Sequence, residues 1–269
     1  MADSFTLEIA GYPVRVEGDD AEVMDNLQQR YRSFLSGSKP IHIVEVHSRK
    51  IKFPPNLFDV PVQFHHHGLT LANKRYQGQI DLQTSKATLS VESFSPADDI
   101  EYFLRMVYSL LIFQEGGVLF HSAAIVRENH AHLFFGHSGS GKTTAARLSD
   151  NYLVLNDDLV ALVDCDTHWQ VFGTPFWNPS QVEPSASSAP LRMLLRLVQD
   201  QQVYLEPLSS AQGMAEMITS IPLINADPTR TNELVRRCKS VMDSVPLYRL
   251  HFRKDNSFWN VIAEASDIF

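Results

Sequence analysis

The sequence predicts an α/β protein with an α+β tendency, in which a strand-rich N-terminal region precedes a domain built on a mixed sheet. Three observations carry this. Short segments of residues 1–95 alternate apolar and polar side chains, the period-two pattern of half-buried strands. Further on, the apolar run His132-Leu133-Phe134-Phe135 enters the glycine-rich segment Gly136-His137-Ser138-Gly139-Ser140-Gly141-Lys142-Thr143, and a helical stretch follows over 142–148. Only Arg127-Glu128-Asn129-His130 separates strand 131–135 from strand 118–126. A parallel crossover needs about a dozen residues or more, so these two strands form an antiparallel hairpin and the sheet cannot be purely parallel.

Along the chain, strands are expected at 5–9, 12–16, 41–46, 80–82 and 87–91, with a helix near 21–34. Ser95-Pro96-Ala97-Asp98-Asp99 reads as a capped helix start. The helix, 100–114, repeats Phe103, Leu104, Val107, Leu110 and Leu111 at helical spacing, and Glu115-Gly116-Gly117 ends it. The organisation is thus a strand-rich region over 1–95, a bridging helix over 96–117 and a second domain over 118–269. A strand at 152–155 follows the glycine loop. A second hairpin joins 159–163 to 169–172, Pro184 to Pro190 forms a loop that can serve as a lid or as a plain surface connection, and a helix is expected over 191–198. Asp227-Pro228-Thr229 caps the last helix, whose apolar stripe includes Leu234, Cys238 and Val241, and 247–252 is a final strand.

Bulk properties bound the function. The chain has 269 residues, 44% hydrophobic, with a net charge of −8 and no basic block beyond Arg236-Arg237, so the electrostatic footprint of a nucleic-acid binder is missing. Cys165 and Cys238 stand far apart and suggest neither a disulfide framework nor a zinc site. The first residues lack the basic and apolar regions of a signal peptide, and no apolar run approaches the roughly 18 residues of a membrane span. A cytoplasmic protein is the expectation.

The glycine segment matches G-x-x-x-x-G-K-[ST] at every fixed position, a match that composition alone gives about once in a hundred chains of this length. Glycines let the backbone curl so that successive N–H groups point at phosphate oxygens, aided by the positive end of the following helix. Residues 136–144 (Gly136, His137, Ser138, Gly139, Ser140, Gly141, Lys142, Thr143 and Thr144) are therefore the expected nucleotide-binding set. Lys142, exposed in the empty loop, would reach the β- and γ-phosphates, and Thr143 would offer its hydroxyl to Mg²⁺.

Fifteen residues beyond Lys142, a strand runs into Asn156-Asp157-Asp158. A carboxylate there completes a Mg²⁺-nucleotide site, because a hard cation wants oxygen ligands. Two in sequence can divide the labour, one toward the metal and one taking a proton, or they can form a solvated turn. His121, on the strand paired with the one feeding the loop, can orient a carboxylate or contact phosphate, or can be a core histidine. His65-His66-His67 is a poor metal site, since consecutive residues on an extended chain point to opposite faces. Arg192 and Arg196, at i,i+4 on the expected helix, offer charge to a transferring phosphoryl group or a solvated helical face.

Taken together, Phe120-His121-Ser122-Ala123-Ala124, the 136–143 loop and Val154-Leu155-Asn156-Asp157-Asp158 resemble the catalytic domain of HPr kinase/phosphorylase, whose loop is similar to that of phosphoenolpyruvate carboxykinases. The likeness is strongest to the shorter HPr-kinase-related proteins of peptide natural-product clusters, some of which phosphorylate serine on a precursor peptide. It covers roughly 115–175. It implies an HPr-kinase-like mixed-sheet fold and an ATP-dependent, Mg²⁺-requiring kinase. By the same likeness Asp157 is the general base, Asp158 a metal-associated carboxylate with Thr143, and His121 a supporting catalytic residue.

Thr143 replaces the usual serine and keeps the hydroxyl. The glycine- and asparagine-containing signature after the second hairpin gives way to Gly173-Thr174-Pro175-Phe176-Trp177-Asn178-Pro179, so phosphorylase activity and HPr as substrate are not implied. The expected partners are the nucleotide and a small-molecule or peptide serine acceptor, with room for a homo-oligomer and with neither nucleic acid nor membrane. The alternatives are a non-catalytic nucleotide-binding accessory or sensor protein, which needs no general base, and a carboxykinase-like enzyme, against which the chain length argues.

Overall fold

The computed structural model describes residues 3–52, 60–177 and 181–266. Two mixed sheets and six α-helices are present among them, and the chain divides into two compact units, Met1–Glu115 with Asp227–Thr229, and Gly116–Ala226 with Arg230–Phe269.

In the first unit, β1 (Asp3–Ile9) and β2 (Tyr12–Gly18) form a hairpin turned by Ala10 and Gly11, both at positive φ. Helix α1 (Ala21–Arg30) follows, capped by the Asp20 carboxylate on the Val23 N–H. Strands β3 (His42–Lys50), β4 (Val62–His65), β5 (Gly68–Ala72), β6 (Tyr76–Asp81) and β7 (Lys86–Ser93) complete a seven-stranded sheet in the order β1-β2-β3-β7-β6-β5-β4. Strand β3 is parallel to both its neighbours, and the other pairs are antiparallel. Burial alternates along these strands as period two requires, and α2 (Pro96–Gln114) packs on the buried face. Glu101 of α2, itself buried, is held by Arg30 at 2.9 Å and Arg105 at 2.8 Å, because a carboxylate out of water needs such partners. The three histidines fall at the end of β4 and in the turn to β5. No group of three or more metal-ligating side chains occurs among the described residues.

The second unit begins with β8 (Val118–Phe120), β9 (Ser122–Arg127) and β10 (His130–Phe135), then α3 (Lys142–Arg147) and β11 (Leu153–Asn156). Next come β12 (Val160–Asp164), β13 (Trp169–Phe172), β14 (Ser188–Gln199) and β15 (Tyr204–Pro207). The chain ends with α4 (Ser210–Thr219), α5 (Thr231–Ser244), β16 (Leu247–Phe252) and α6 (Phe258–Ser266). The expected hairpins β9–β10 and β12–β13 are both antiparallel, and the nine-stranded sheet is mixed.

Three expectations are corrected, and one left open is narrowed. Segment 118–126 is two strands broken at His121, because β8 pairs with β12 while β9 pairs with β10 and β11, and the chain changes neighbours between them. Segment 191–198 is no helix but the centre of β14, the longest strand. It pairs in turn with β13, β10 and β16, with Ala189, Leu191, Met193, Leu195 and Leu197 buried at period two. Leu, Met and Arg are good helix formers, and pairing on both edges overrides that preference. Of loop 184–190, residues 188–190 belong to β14, and the rest is tied to its neighbours as a connection would be. The Ser185 N–H donates to the Leu155 carbonyl at 3.0 Å and the Gly173 N–H to that of Ser187 at 3.1 Å, and a Cβ at Gly173 would sit 1.9 Å from the Ser185 oxygen. Finally, α5 starts at Thr231, because the Asp227 carboxylate instead takes the Thr229 N–H and hydroxyl in a turn of its own.

Strands β10, β11, β14 and β16 run in one direction and β9 in the other. The carboxyl ends of the first four and the start of β9 therefore meet along a single sheet edge, where open α/β sheets bind their ligands. Beneath it, α3 and α6 cover one face. Phe134, Leu195, Leu250 and Phe252 of the sheet pack there with Ala145, Phe258 and Trp259.

Candidate phosphate-binding site

The glycine loop leaves β10 at that edge. Gly136 and Gly141 have φ of +146° and +112°, and a side chain on Gly141 would strike the Phe252 ring at 2.5 Å. Glycine is required at 141 on both counts. His137, Ser138 and Gly139 are exposed at the tip, while Gly136 and Ser140 are buried beneath it. Helix α3 has only six residues, so its dipole is short and the loop amides with Lys142 carry most of the attraction for an anion.

Lys142 is not exposed as expected. It is 9% accessible, and its ammonium donates to the Gly136 carbonyl at 2.9 Å and that of His137 at 3.4 Å. Burial lowers its pKa, with Arg196 acting in the same direction and Asp158 and Asp157 opposing. The loop thus satisfies the lysine with its own carbonyl oxygens.

An open pocket of about 480 Å³ lies over the loop. Ser138, Gly139, Gly141, Lys142, Thr143 and Thr144 form its floor, and His121, Asp158, Gln181, Gln199 and Lys254 its walls. His121 Nε2 stands 3.2 Å from Asp158 Oδ1, which joins two of the expected residues. The His121 position is fixed by its own N–H, which donates to the Ser220 carbonyl at the end of α4 at 2.7 Å.

Asn156 sets the geometry of the two carboxylates. Fully buried, it accepts from the Asp158 and Leu159 N–H groups at 2.6 and 3.1 Å, and its amide donates to the Thr174 and Phe176 carbonyls at 2.8 and 3.1 Å. One side chain thereby fixes the turn and ties it to segment 174–176. Of the region 173–179 in which a family signature was sought, 178 and 179 lie outside the described residues.

The turn separates Asp157 from Asp158. Asp158 lines the pocket, whereas Asp157 is fully buried, and the donors nearest its oxygens, the Thr143 hydroxyl and the Val182 N–H, lie beside it without well-formed hydrogen-bond geometry. Desolvation raises its pKa and Asp158 adds to this, while the Thr143 hydroxyl and the Val182 N–H beside it pull the other way. A folded-state pKa above the ordinary 3.8 means that the folded chain holds more protons than the unfolded one just above that value. Stability falls as pH rises through the window, and ionised Asp157 destabilises the ligand-free protein at neutral pH. Asp157→Asn is therefore expected to raise the melting temperature at pH 7, with the gain shrinking as pH falls toward 4. Thermal melts without nucleotide check this, and a lower melting temperature at pH 7 would contradict it.

Arg196, on β14 rather than on a helix, lies behind the loop. Its guanidinium is 3.0 Å from Glu216 of α4 and would touch a Cβ at Gly136. Arg192, though on the same face of the strand, is not among the pocket residues. Gln199, Gln181 and Lys254 had no motif to announce them. They reach the pocket from different strand ends and loops, and Gln199 donates to the Gly139 carbonyl at 2.8 Å.

No protein-family model and no curated protein matches the chain. No helix among the described residues is long and apolar enough to cross a membrane.

Proposed function

We propose that this protein is an ATP-dependent, Mg²⁺-requiring phosphotransferase of the HPr-kinase-like type, acting on a serine hydroxyl of a peptide or small molecule. The observation that carries this reading is the His121–Asp158 pair standing in the same pocket as the phosphate loop. A nucleotide-binding scaffold needs the loop but has no use for a histidine-held carboxylate in the pocket wall.

The positions of the carboxylates support exchanging the two roles that the family resemblance implied. Asp158 takes the proton from the acceptor hydroxyl, the oxygen attacks the γ-phosphorus, and the bond to the β-phosphate oxygen breaks, leaving phosphoserine and ADP. His121 holds the Asp158 carboxylate toward the acceptor. Asp157 and the Thr143 hydroxyl would fit a hard divalent cation, because a buried carboxylate beside a hydroxyl supplies the oxygen ligands such an ion prefers. Mg²⁺ bound there supplies charge neutralisation at the β- and γ-phosphates. Lys142 adds a cation on the loop.

An overall charge of −8 disfavours a strongly acidic protein partner, while Lys142 in the pocket suits a phosphate or carboxylate. A small acceptor or a peptide tail fits better than a folded protein. Incubation with Mg-ATP and, separately, free serine, short serine-ended peptides and intact HPr is expected to give a phosphate-sized mass increase on a small acceptor. Nucleotide binding without any such increase would favour the accessory protein, and transfer to HPr alone would refute the acceptor class.

A further inference from the structure

The pocket extends beyond what the loop and the carboxylates account for. Asp157 and Asp158 follow β11, the loop follows β10, and Lys254 follows β16. With the strand order β11-β9-β10-β14 and then β16, four inter-strand steps of about 4.8 Å separate the backbones of β11 and β16, roughly 19 Å of sheet edge. The loop sits midway. If the γ-phosphate lies toward Asp158, the rest of the donor points toward β14 and β16.

Among the described residues at that end, the basic side chains other than Lys254 are held by acidic partners. Arg249 is paired with Glu206 at 2.6 Å and His251 with Asp200 at 2.9 Å. Arg253 is bound by Asp255, whose carboxylate also accepts from the N–H and hydroxyl of Ser257 and so pins the turn. Lys254, held between these residues, lines the pocket and makes no ion pair among the described residues. A turn whose carboxylate is committed to Arg253 leaves the ammonium of Lys254 available to an anion from the pocket.

We infer that Lys254 contacts the α-phosphate of the donor, which makes the donor a nucleoside triphosphate rather than pyrophosphate. This rests on the phosphotransferase reading for the direction in which the donor lies. Pyrophosphate would occupy the loop and the Asp158 side alone and would not reach Lys254.

Calorimetric titrations of the wild type, Lys254→Met and Lys254→Arg with Mg-ATP and with Mg-pyrophosphate, at one ionic strength, test it. Lys254→Met removes the charge and keeps the stem. It is expected to weaken Mg-ATP about tenfold or more, the loss of one charge-assisted hydrogen bond, and to leave Mg-pyrophosphate within about twofold. Lys254→Arg should restore most of the ATP affinity. Equal weakening of both ligands would make Lys254 a diffuse surface charge, and no change in either would make it a solvated lysine. Each result overturns the inference. A wild type that binds pyrophosphate but not ATP would also overturn it while leaving the loop assignment standing, whereas binding of neither would remove the phosphotransferase reading itself.

Discussion

Lys142→Ala is expected to weaken Mg-ATP binding by at least about a hundredfold and to abolish measurable transfer, while the protein stays folded. The ammonium can give two charge-assisted hydrogen bonds to the β- and γ-phosphates, each worth about 1.5–3 kcal/mol, and their joint loss corresponds to roughly 10² to 10⁴ in affinity. Little stability should be lost with it. The ammonium is largely buried and its pKa is lowered, so its hydrogen bonds to Gly136 and His137 barely offset the loss of water. Calorimetric titration together with circular dichroism separates the two effects. Unchanged affinity and unchanged turnover would show that residues 136–143 are not a nucleotide loop.

Asp158→Asn is expected to lower kcat by roughly 10²- to 10⁴-fold and to keep Mg-ATP affinity within a few-fold, the signature of a lost general base. Asparagine keeps the shape and can still accept a hydrogen bond from His121, so the pocket wall should hold while the proton acceptor is gone. Asp157→Asn supplies the contrast. It should weaken the Mg²⁺ dependence of binding, because in the proposed division of roles Asp157, beside the Thr143 hydroxyl, would hold the ion. Single-turnover transfer and Mg²⁺ titrations of both variants decide the division. Wild-type turnover in Asp158→Asn with a large loss in Asp157→Asn would return the base to Asp157, as the family resemblance implied.

The elements legible beforehand share a physical property, which is that their determinants are local. Helix α2 follows from Pro96 at its start and an apolar stripe at helical spacing, and β9–β10 from a link too short for anything but a hairpin. The glycine loop is local in the same sense, since positive φ at successive glycines and one lysine are written within eight residues. The failures are non-local. Residues 191–198 have the composition of a helix, and what makes them a strand is pairing with β10 and β16, which lie about 60 residues before and 50 after in sequence. The break at His121 likewise exists because two stretches of one apolar run find different partners.

The composition and spacing of this chain by themselves determined a mixed α/β fold, a glycine-rich turn between strand and helix and the two acidic residues that follow it, because each of these is dictated by steric and chemical rules acting over a few neighbouring residues. Tertiary structure alone decided which carboxylate faces the pocket. That outcome depends on Asn156 pinning the turn against Thr174 and Phe176, so that Asp158 meets His121 and Asp157 is buried. Lys254 and Gln199 came to the site in the same way, by the direction and order of strands whose pairing no short segment encodes.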